Sequence, residues 1–289
     1  MNLSDEFQAI VIGSGQGGTP LCVALANAGF RTALIEREHI GGCCVNEGCT
    51  PTKTMVASAR VAWLARRGAD YGVRNGNITV DMLTVRQRKR DIVNSFRNGS
   101  QKHIEETPNL ELIFGEASFT GPKSLLVRLR NGGQRELTGD RIFIDAGARP
   151  AVPAIEGLKE VSFLNSTSIM ELDVVPDHLI VLGGGYVGLE FGQMFRRFGS
   201  RVTIIHSAGQ LLVREDGDVA KEIADILQQD GIEVLLNANA QRITKARAQI
   251  NLDVRIGGET REVAGSHLLV ATGRVPNTNS LNVAAAGIA

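Results

Sequence analysis

Three of the four cysteines in this chain lie in one short stretch, residues 41–53, which reads Gly-Gly-Cys-Cys-Val-Asn-Glu-Gly-Cys-Thr-Pro-Thr-Lys. Cys44 and Cys49 are five positions apart, and in an unbroken helix their Cα atoms would exceed the roughly 4.4–6.8 Å that a disulfide requires. Gly48 lies between them and can adopt backbone angles that other residues avoid, so we expect a tight turn there. The spacing therefore predicts a redox-active disulfide closed by a short loop.

The residues after this turn give the two sulfurs different surroundings. Thr50 and Pro51 are typical of a helix N-cap and of a first helical residue, respectively. Cys49 would then lie at a helix N-terminus, where unpaired N–H groups and the helix dipole favour a thiolate. We therefore expect one activated sulfur, with Lys53 one helical turn further along.

The composition favours a nucleotide-binding α/β protein over several other classes. Glycine is abundant, with 33 residues, and aromatic residues make up only 4% of the 289. The 31 basic and 31 acidic residues balance, so no overall field attracts nucleic acid or a membrane surface. The basic run at 86–90 is therefore interpreted as a solvated helix face rather than a nucleic-acid site.

The cysteine usage and the N-terminus predict a cytoplasmic protein. Four clustered cysteines are too few for the disulfide framework of a secreted domain. The first residues lack the basic region and apolar core of a signal peptide, and no apolar run approaches the roughly 18 residues of a membrane span. In this compartment a local cysteine pair is more often catalytic than structural.

The first 36 residues predict a strand–helix–strand unit that binds a dinucleotide. An apolar strand over 7–12 leads into the turn Gly-x-Gly-x-x-Gly, whose glycines permit a tight turn, the approach of a pyrophosphate and close helix–strand packing. The motif glycines are Gly13, Gly15 and Gly18. After the helix, a second strand over 31–36 ends in Glu36, which is placed to accept a ribose hydroxyl.

A second unit of the same kind makes the chain an internal repeat. A strand over 179–182 is followed by Gly-Gly-Gly-Tyr-Val-Gly, a helix and a strand over 201–206. The motif glycines of this repeat are Gly183, Gly185 and Gly188. His206 stands at the position that Glu36 takes in the first repeat.

This difference favours NADPH over NADH at the second repeat. An acid repels the 2′-phosphate of NADP, whereas a neutral or cationic group tolerates it, and Arg214 lies nearby in the sequence. His206 can equally be an ordinary strand-end residue, so both interpretations stay open.

The repeats also differ two residues after the last glycine, where the first has Pro20 and the second has Glu190. Glu190 lies between Leu189 and Phe191, on a helix that should pack on a sheet. A buried carboxylate requires a partner, and Lys53 is the candidate. The alternative is an exposed glutamate and an unrelated exposed lysine.

Together the repeats predict an α/β protein of two Rossmann-like dinucleotide-binding domains, the second inserted in the first. We expect the first domain, with the redox disulfide, over residues 1–150. The second domain is expected over 151–270, and a segment over 271–289 returns the chain to the first domain.

The cysteine stretch resembles the redox motif of the FAD-dependent pyridine nucleotide–disulfide oxidoreductases, which include glutathione reductase, dihydrolipoamide dehydrogenase and mercuric reductase. The order of features is also similar: a glycine motif, the cysteines, Gly-Glu-Ala at 115–117, Ala-Gly at 146–147, a second glycine motif and Ala-Thr-Gly-Arg-Val-Pro-Asn-Thr at 271–278. The resemblance covers essentially the whole chain, and Cys-x4-Cys-x3-Lys between two dinucleotide motifs is highly specific. The Thr-Pro-Thr-Lys ending looks closest to mercuric-reductase-like members.

The resemblance implies a role for each residue of the site. Cys49 would face the flavin as the charge-transfer thiolate, and Cys44 would be the interchange thiol that attacks substrate. Lys53 would lie beside the flavin ring and pair with Glu190, and Tyr186 would cover the flavin until nicotinamide enters. The residues implied to bind FAD are Gly13, Gly15, Gly18, Glu36, Gly42, Cys43, Lys53, Ala117, Gly147 and Arg274. Those implied to bind NAD(P) are Gly183, Gly185, Gly188, His206, Arg214 and Gly273.

The implied path runs from NAD(P)H to FAD, then to the Cys44–Cys49 disulfide, and then by thiol exchange to a small-molecule disulfide or a metal-ion substrate. Full-length relatives are implied to be homodimers. A metal-binding or redox-sensing role for Cys43, Cys44 and Cys49 is the weaker alternative, because no fourth ligand stands at a usual zinc spacing. No resident metal is expected.

The sequence departs from the family pattern in three respects. Position 43 is cysteine where relatives usually have threonine, which either adds a third exchangeable thiol or is a neutral small substitution. The N-terminal Cys-x-x-Cys module and the C-terminal cysteine pair of mercuric reductases are not found. Neither are the Gly-Asp segment that binds FAD and the dimerisation domain with its His–Glu pair, so we expect a chain cut short before them. The alternative function is a nucleotide-binding remnant without disulfide-reductase turnover.

Overall fold

The computed structural model describes residues 5–247 and 249–288. They form two compact units, each assembled from separate parts of the sequence. The first unit comprises the described residues of Met1–Pro51, Arg90–Arg149 and Val275–Ala289. The second comprises those of Thr52–Lys89 and Pro150–Arg274.

In this part of the chain the elements follow the predicted order, with a strand, a helix and a strand around each glycine motif. The α-helices are α1 Gly18–Asn27, α2 Gly42–Asn46, α3 Cys49–Arg66, α4 Met82–Glu105, α5 Tyr186–Phe198 and α6 Gly217–Gln229. The strands are β1 Asp5–Ile12, β2 Thr32–Glu36, β3 Leu110–Gly121, β4 Ser124–Leu129, β5 Gln134–Ile144, β6 Ala148–Pro150, β7 His178–Leu182, β8 Arg201–Ile205, β9 Glu233–Leu235, β10 Ala238–Ala246, β11 Gln249–Ile256, β12 Glu259–Gly265, β13 His267–Val270 and β14 Arg274–Pro276.

The sheet of the first unit forms around β1, whose last four residues are buried. β1 runs parallel to β2 on one side and to β5 on the other, and β2 runs parallel to β3. β4 is antiparallel to both β3 and β5, so hydrogen bonds close the five strands into a ring. Because β1, β2 and β5 are parallel, their carboxyl ends meet at one edge, and the first glycine turn lies there.

The second unit is organised around a parallel sheet in the order β13–β7–β8–β9. All five residues of β7 are buried, as expected for a parallel strand covered on both faces. Leu179 and Val181 join the core that contains Phe195 of α5. Ile180 and Leu182 point to the opposite face and join the core of the antiparallel sheet β10–β11–β12, because side chains alternate along a strand.

The segment Thr52–Lys89 belongs to the second unit, although it precedes the rest of that unit in the sequence. Met55, Ala59 and Met82 are buried in the same core as Phe195. The predicted boundary at residue 150 places this segment in the first domain, so the compact units and the predicted domains divide the chain differently here.

One helix boundary and the elements near the end of the chain differ from the sequence-based expectation. The predicted N-cap at Thr50 is wrong, because α3 already begins at Cys49 after the backbone turns at Glu47 and Gly48. β14 and a 3₁₀ turn at Val283–Ala286 follow the last predicted strand and were not foreseen. Among the described helices, none combines the length and the apolar character needed to cross a membrane.

Candidate functional site

The first glycine turn has no room for side chains. Gly13 has a φ of +103°, and a Cβ there would lie 2.2 Å from the carbonyl oxygen of Asp145. A Cβ at Gly18 would lie 2.1 Å from the carbonyl oxygen of Gly13, where α1 crosses the strand. Both distances are far below van der Waals contact, so only glycine fits at these positions. The tight turn and close helix–strand packing predicted from the motif are both present.

Glu36 lies at the end of β2 and binds the glycine turn through Ser14. The Glu36 Oε2 accepts hydrogen bonds from the Ser14 N–H at 3.1 Å and from its hydroxyl at 2.6 Å. The Glu36 Oε1 accepts a third, from the N–H of Glu38 at 2.7 Å. The carboxylate is therefore held at the mouth of the turn. Ser14 is buried and was not foreseen, although a small hydroxyl residue between the first two motif glycines was a possible signal.

The cysteine stretch packs directly against this turn. Gly41, with a φ of +99°, precedes α2, and its N–H donates to the Ser14 carbonyl oxygen at 3.2 Å. A Cβ at Gly42 would lie 2.6 Å from the Cα of Gly15, so the backbone of the cysteine stretch is in contact with the backbone of the glycine turn. A Cβ at Gly48 would lie 3.0 Å from the Cys43 carbonyl oxygen, which confirms the tight turn predicted there.

Cys44 lies in α2 and Cys49 is the first residue of α3, so the turn brings the two sulfurs together. No disulfide bond joins any of the four cysteines, all of which lie among the described residues. Partial burial and a hydrogen bond to the Cys49 sulfur raise the pKa of Cys44 to about 11. Burial likewise raises the pKa of Cys22, inside α1, to about 11. Cys44 therefore holds its proton at neutral pH.

A cavity of about 300 Å³ lies in the first unit beside these groups. Of the residues implied to bind FAD, those that line it are Gly13, Gly15, Glu36, Gly42, Cys43, Ala117 and Gly147. Cys44 lines it as well. Among the residues that the structure describes, Gly18 and Cys49 are outside the lining, and Lys53 and Arg274 belong to the second unit.

Two further side chains shape this cavity and were missed by the sequence reasoning. The Asn46 amide donates to the carbonyl oxygens of Ile40 at 3.0 Å and Gly42 at 2.8 Å, and accepts from Arg97 at 2.8 Å. The Asn46 side chain therefore stabilises the loop before α2. A hydrogen bond from Ser280, helped by Arg128, holds the pKa of Glu116 below its usual range.

The second glycine turn repeats the first. A Cβ at Gly183, whose φ is +120°, would lie 2.3 Å from the Ala271 carbonyl oxygen, and one at Gly188 would lie 2.1 Å from the Gly183 carbonyl oxygen. His206 takes the place of Glu36, since its Nδ1 accepts from the Gly184 N–H at 3.2 Å. Burial lowers the pKa of His206, so the ring is neutral at pH 7.

The other residues implied at the second repeat lie around its helix and the following loop. Tyr186 begins α5, is 60% exposed and donates a hydrogen bond to Glu215, which raises the pKa of the phenol. Arg214 is exposed beside it. Gly273 has a φ of +144°, and its carbonyl oxygen accepts from the N–H of Ala151 at 2.9 Å.

The predicted ion pair between Lys53 and Glu190 is present in the second unit. The Glu190 side chain is 32% exposed and that of Lys53 is 67% exposed. The premise of a fully buried carboxylate is therefore wrong, because Glu190 lies at the edge of the apolar face of α5 rather than within it. Among the described residues, no group of three or more His, Cys, Asp or Glu side chains is placed to hold a metal ion.

The sequence matches the family described as Pyridine nucleotide-disulphide oxidoreductase over residues 7–289. A protein of Escherichia coli (strain K12), named Probable pyridine nucleotide-disulfide oxidoreductase RclA, is 40% identical over 288 residues, covering 99% of this chain and 60% of that protein. A mercuric reductase of Bacillus cereus is 35% identical over 292 residues, covering 100% of this chain and 46% of its own length.

Solved structures agree with these sequence matches. One, the "Cu(II) complex of HOCl-induced flavoprotein disulfide reductase RclA from Escherichia coli", has a TM-score of 0.86 and 39% identity, covering 99% of this chain and 60% of that one. The fold is thus the two-part, Rossmann-like α/β fold of that flavoprotein. The chain spans only about half to 60% of the length of these relatives. Because the family match extends over nearly the whole sequence, this chain belongs to the pyridine nucleotide-disulphide oxidoreductase family.

Proposed function

We propose that this chain is part of an NAD(P)H-dependent disulfide oxidoreductase whose electrons pass from a nicotinamide cofactor, by way of FAD, to the Cys44–Cys49 pair and on to a disulfide or metal-ion substrate. The observation that carries the proposal is the direct contact of the cysteine segment with the first glycine turn, at Gly42 and Gly15. A dinucleotide held in that turn would lie beside the sulfur pair. Family membership supports the same assignment.

The residues around the first-unit cavity fit the adenosine half of FAD. Gly13 and Gly15 line the cavity, and Glu36 lies at the end of β2, where ribose hydroxyls are bound in dinucleotide folds. Ala117 and Gly147 form other parts of the lining. We assign FAD to this unit, and the first predicted domain to FAD binding.

The second glycine turn is assigned to the nicotinamide dinucleotide. Gly183, Gly185 and Gly188 would admit its pyrophosphate, and the neutral His206 would leave the 2′-phosphate of NADPH unopposed. Arg214 is exposed near the same loop and adds positive charge. NADPH is therefore proposed over NADH.

The sulfur pair would complete the reaction by thiol–disulfide exchange. The Cys44 thiolate attacks one sulfur of an oxidised substrate, forms a mixed disulfide and releases the first substrate thiolate. Cys49 then attacks the Cys44 sulfur, re-forms the Cys44–Cys49 bond and releases the second thiolate. Because the pKa of Cys44 is raised to about 11, the attack requires a base that removes its proton.

The relatives' names suggest the substrate class. Mercuric reductases are among them, and the Escherichia coli structure is a Cu(II) complex of a disulfide reductase. Hg(II) would take both electrons that the dithiol releases, as a disulfide does, whereas Cu(II) takes one electron per ion, so the dithiol would reduce two Cu(II) ions. Lys53 and Glu190 are proposed as a positioning pair and Tyr186 as the cover of the flavin. A homodimer of the full-length protein and a cytoplasmic location stay predictions.

The second candidate is a nucleotide-binding protein without disulfide-reductase turnover. It is favoured by the raised pKa of Cys44, which leaves the attacking sulfur protonated at neutral pH. To separate the two, the purified chain is saturated with FAD, freed of excess, and its visible absorbance is recorded before and after NADPH is added. Retained flavin that NADPH bleaches supports the oxidoreductase. Flavin that is retained but not bleached supports the second candidate, and a chain that retains none overturns the assignment of FAD to this chain.

A further inference from the structure

Asp145 places a negative charge against the first glycine turn. It follows β5 directly, and its Oδ2 accepts a hydrogen bond from the N–H of Gly18 at 2.7 Å, at the beginning of α1. A Cβ at Gly15 would lie 2.7 Å from the same oxygen, and one at Gly17 would lie 3.3 Å from Oδ1. The carboxylate therefore fills the space in front of these three glycines of the turn.

The second repeat has the same backbone without this carboxylate. Asp145 donates its N–H to the carbonyl oxygen of Ile12 at 2.8 Å, and Ala271 donates to Leu182 at the same distance. Both residues also crowd the first glycine of their motif through the carbonyl oxygen. Asp145 and Ala271 are thus equivalent positions. At Gly185, the counterpart of Gly15, a Cβ would meet no described atom within 4 Å.

Helix N-termini at such turns attract the pyrophosphate of dinucleotides, because unpaired N–H groups and the helix dipole favour an anion. In the first repeat one of those N–H groups already has an anionic partner from within the chain. The two phosphates of FAD carry negative charge, and like charges placed side by side repel each other strongly where water is partly excluded.

We propose that Asp145 is a built-in competitor for the pyrophosphate of FAD, so that FAD binds only after the Asp145 side chain leaves Gly18. The inference rests on the proposed assignment of FAD to the first unit. The flavin is then exchangeable. FAD has to displace the Asp145 carboxylate when it binds, so the affinity of the first repeat for FAD is lower than its backbone alone would give.

The test compares the 289-residue chain with Asp145→Asn by fluorescence titration with FAD and by calorimetric titration with ADP and adenosine. Asparagine keeps an oxygen for the Gly18 N–H and removes the charge. Asp145→Asn is expected to tighten FAD and ADP binding about tenfold and to leave adenosine, which has no phosphate, unchanged. Asp140→Asn, which changes an exposed acid of β5, is the matched control and should change none of the three affinities.

The reverse substitution supplies a second arm. Ala271→Asp introduces the carboxylate into the second repeat and should weaken NADPH binding about tenfold without affecting FAD. If Asp145→Asn binds FAD and ADP with the same affinities as the native chain, the inference is overturned and the proposed function is unaffected. If neither protein binds FAD, the proposed function is wrong. The ADP titration alone then tests whether Asp145 competes with a pyrophosphate. Equal tightening of adenosine would also overturn it, because the effect would not depend on phosphate.

Discussion

The two dinucleotide repeats share one backbone plan and differ in the side chains placed at equivalent positions. At the end of the second strand, Glu36 accepts a hydrogen bond from the Ser14 N–H, and His206 accepts one from the Gly184 N–H. The first acceptor is an acid, whereas burial keeps the second neutral by lowering the pKa of its ring. Both repeats thus form the same backbone hydrogen bond with chemically different acceptors, a carboxylate oxygen in the first and a neutral imidazole nitrogen in the second.

The repeats differ again in the elements that come after them along the chain. After β2 the first repeat continues into α2 and α3, which carry Cys44 and Cys49. After β8 the second repeat continues into a loop with Arg214 and Glu215 and then into α6, without a cysteine. The cysteine pair therefore follows only one of the two turns.

The largest expected effect concerns the sulfur pair beside the first repeat. With its pKa raised to about 11, Cys44 is a thiol at pH 7, and its reactive thiolate increases about tenfold for each pH unit up to pH 10. Alkylation of Cys44 by iodoacetamide in the reduced chain should therefore accelerate about a thousandfold between pH 7 and pH 10. Peptide mass spectrometry at several pH values measures this rate.

Cys22 is the internal control, because its pKa is raised to the same value but its side chain is fully buried and should be alkylated slowly throughout. A Cys44 rate that levels off below pH 9 would contradict the raised pKa.

The next effect separates the two turns. Gly13→Ala and Gly183→Ala each place a Cβ within 2.2 or 2.3 Å of a carbonyl oxygen, and each should weaken the dinucleotide of its own repeat about 100-fold. Fluorescence titration with FAD and calorimetric titration with NADPH are made on both variants. Retained binding at the untouched repeat shows that the variant is folded. Loss of the same ligand in both variants would show that the two turns do not bind different dinucleotides.

A smaller effect is expected from exchanging the strand-end residue. His206→Glu gives the second repeat the acid of the first and should shift the preference from NADPH towards NADH about tenfold, because the acid repels a 2′-phosphate. Dissociation constants for both nucleotides are measured by calorimetry. Glu36→His is the matched variant and should leave the ratio of the two constants as it is. A ratio unaffected by His206→Glu would remove the basis for preferring NADPH.

The smallest effect concerns Lys53 and Glu190. Exposed ion pairs contribute at most about 1 kcal/mol to stability, so Lys53→Met and Glu190→Gln should each lower the free energy of unfolding by no more than that in urea titrations. The pair would then matter for position rather than for stability. A loss above about 2 kcal/mol in either variant would show that the pair holds the second unit together.

Much of this arrangement could be predicted from the sequence, because its signals are local. The glycine motifs lie between short apolar strands and helices, and Gly48 separates the two cysteines, so turns and elements follow from spacing. The pairing of Lys53 with Glu190 was also found, by comparing the two repeats. Its supposed burial was wrong, because the edge of a helix face cannot be located from the neighbours in sequence alone.

The rest depends on contacts between residues far apart in the sequence. Asp145 meets Gly18 across 127 positions, and Asn46 meets Arg97 across 51. No local pattern marks such pairs. The placement of Thr52–Lys89 in the second unit is likewise a result of packing, since Met55 and Met82 join the core around Phe195.

We expect electrons from NADPH to reach Cys44 and Cys49 through a bound flavin. The most direct measurement counts thiols at these two residues by alkylation and peptide mass spectrometry, starting from the oxidised chain. NADPH with FAD should release one thiol at each residue, and NADPH without FAD should release neither. Release of both thiols without FAD, or of neither with FAD bound, would contradict the account.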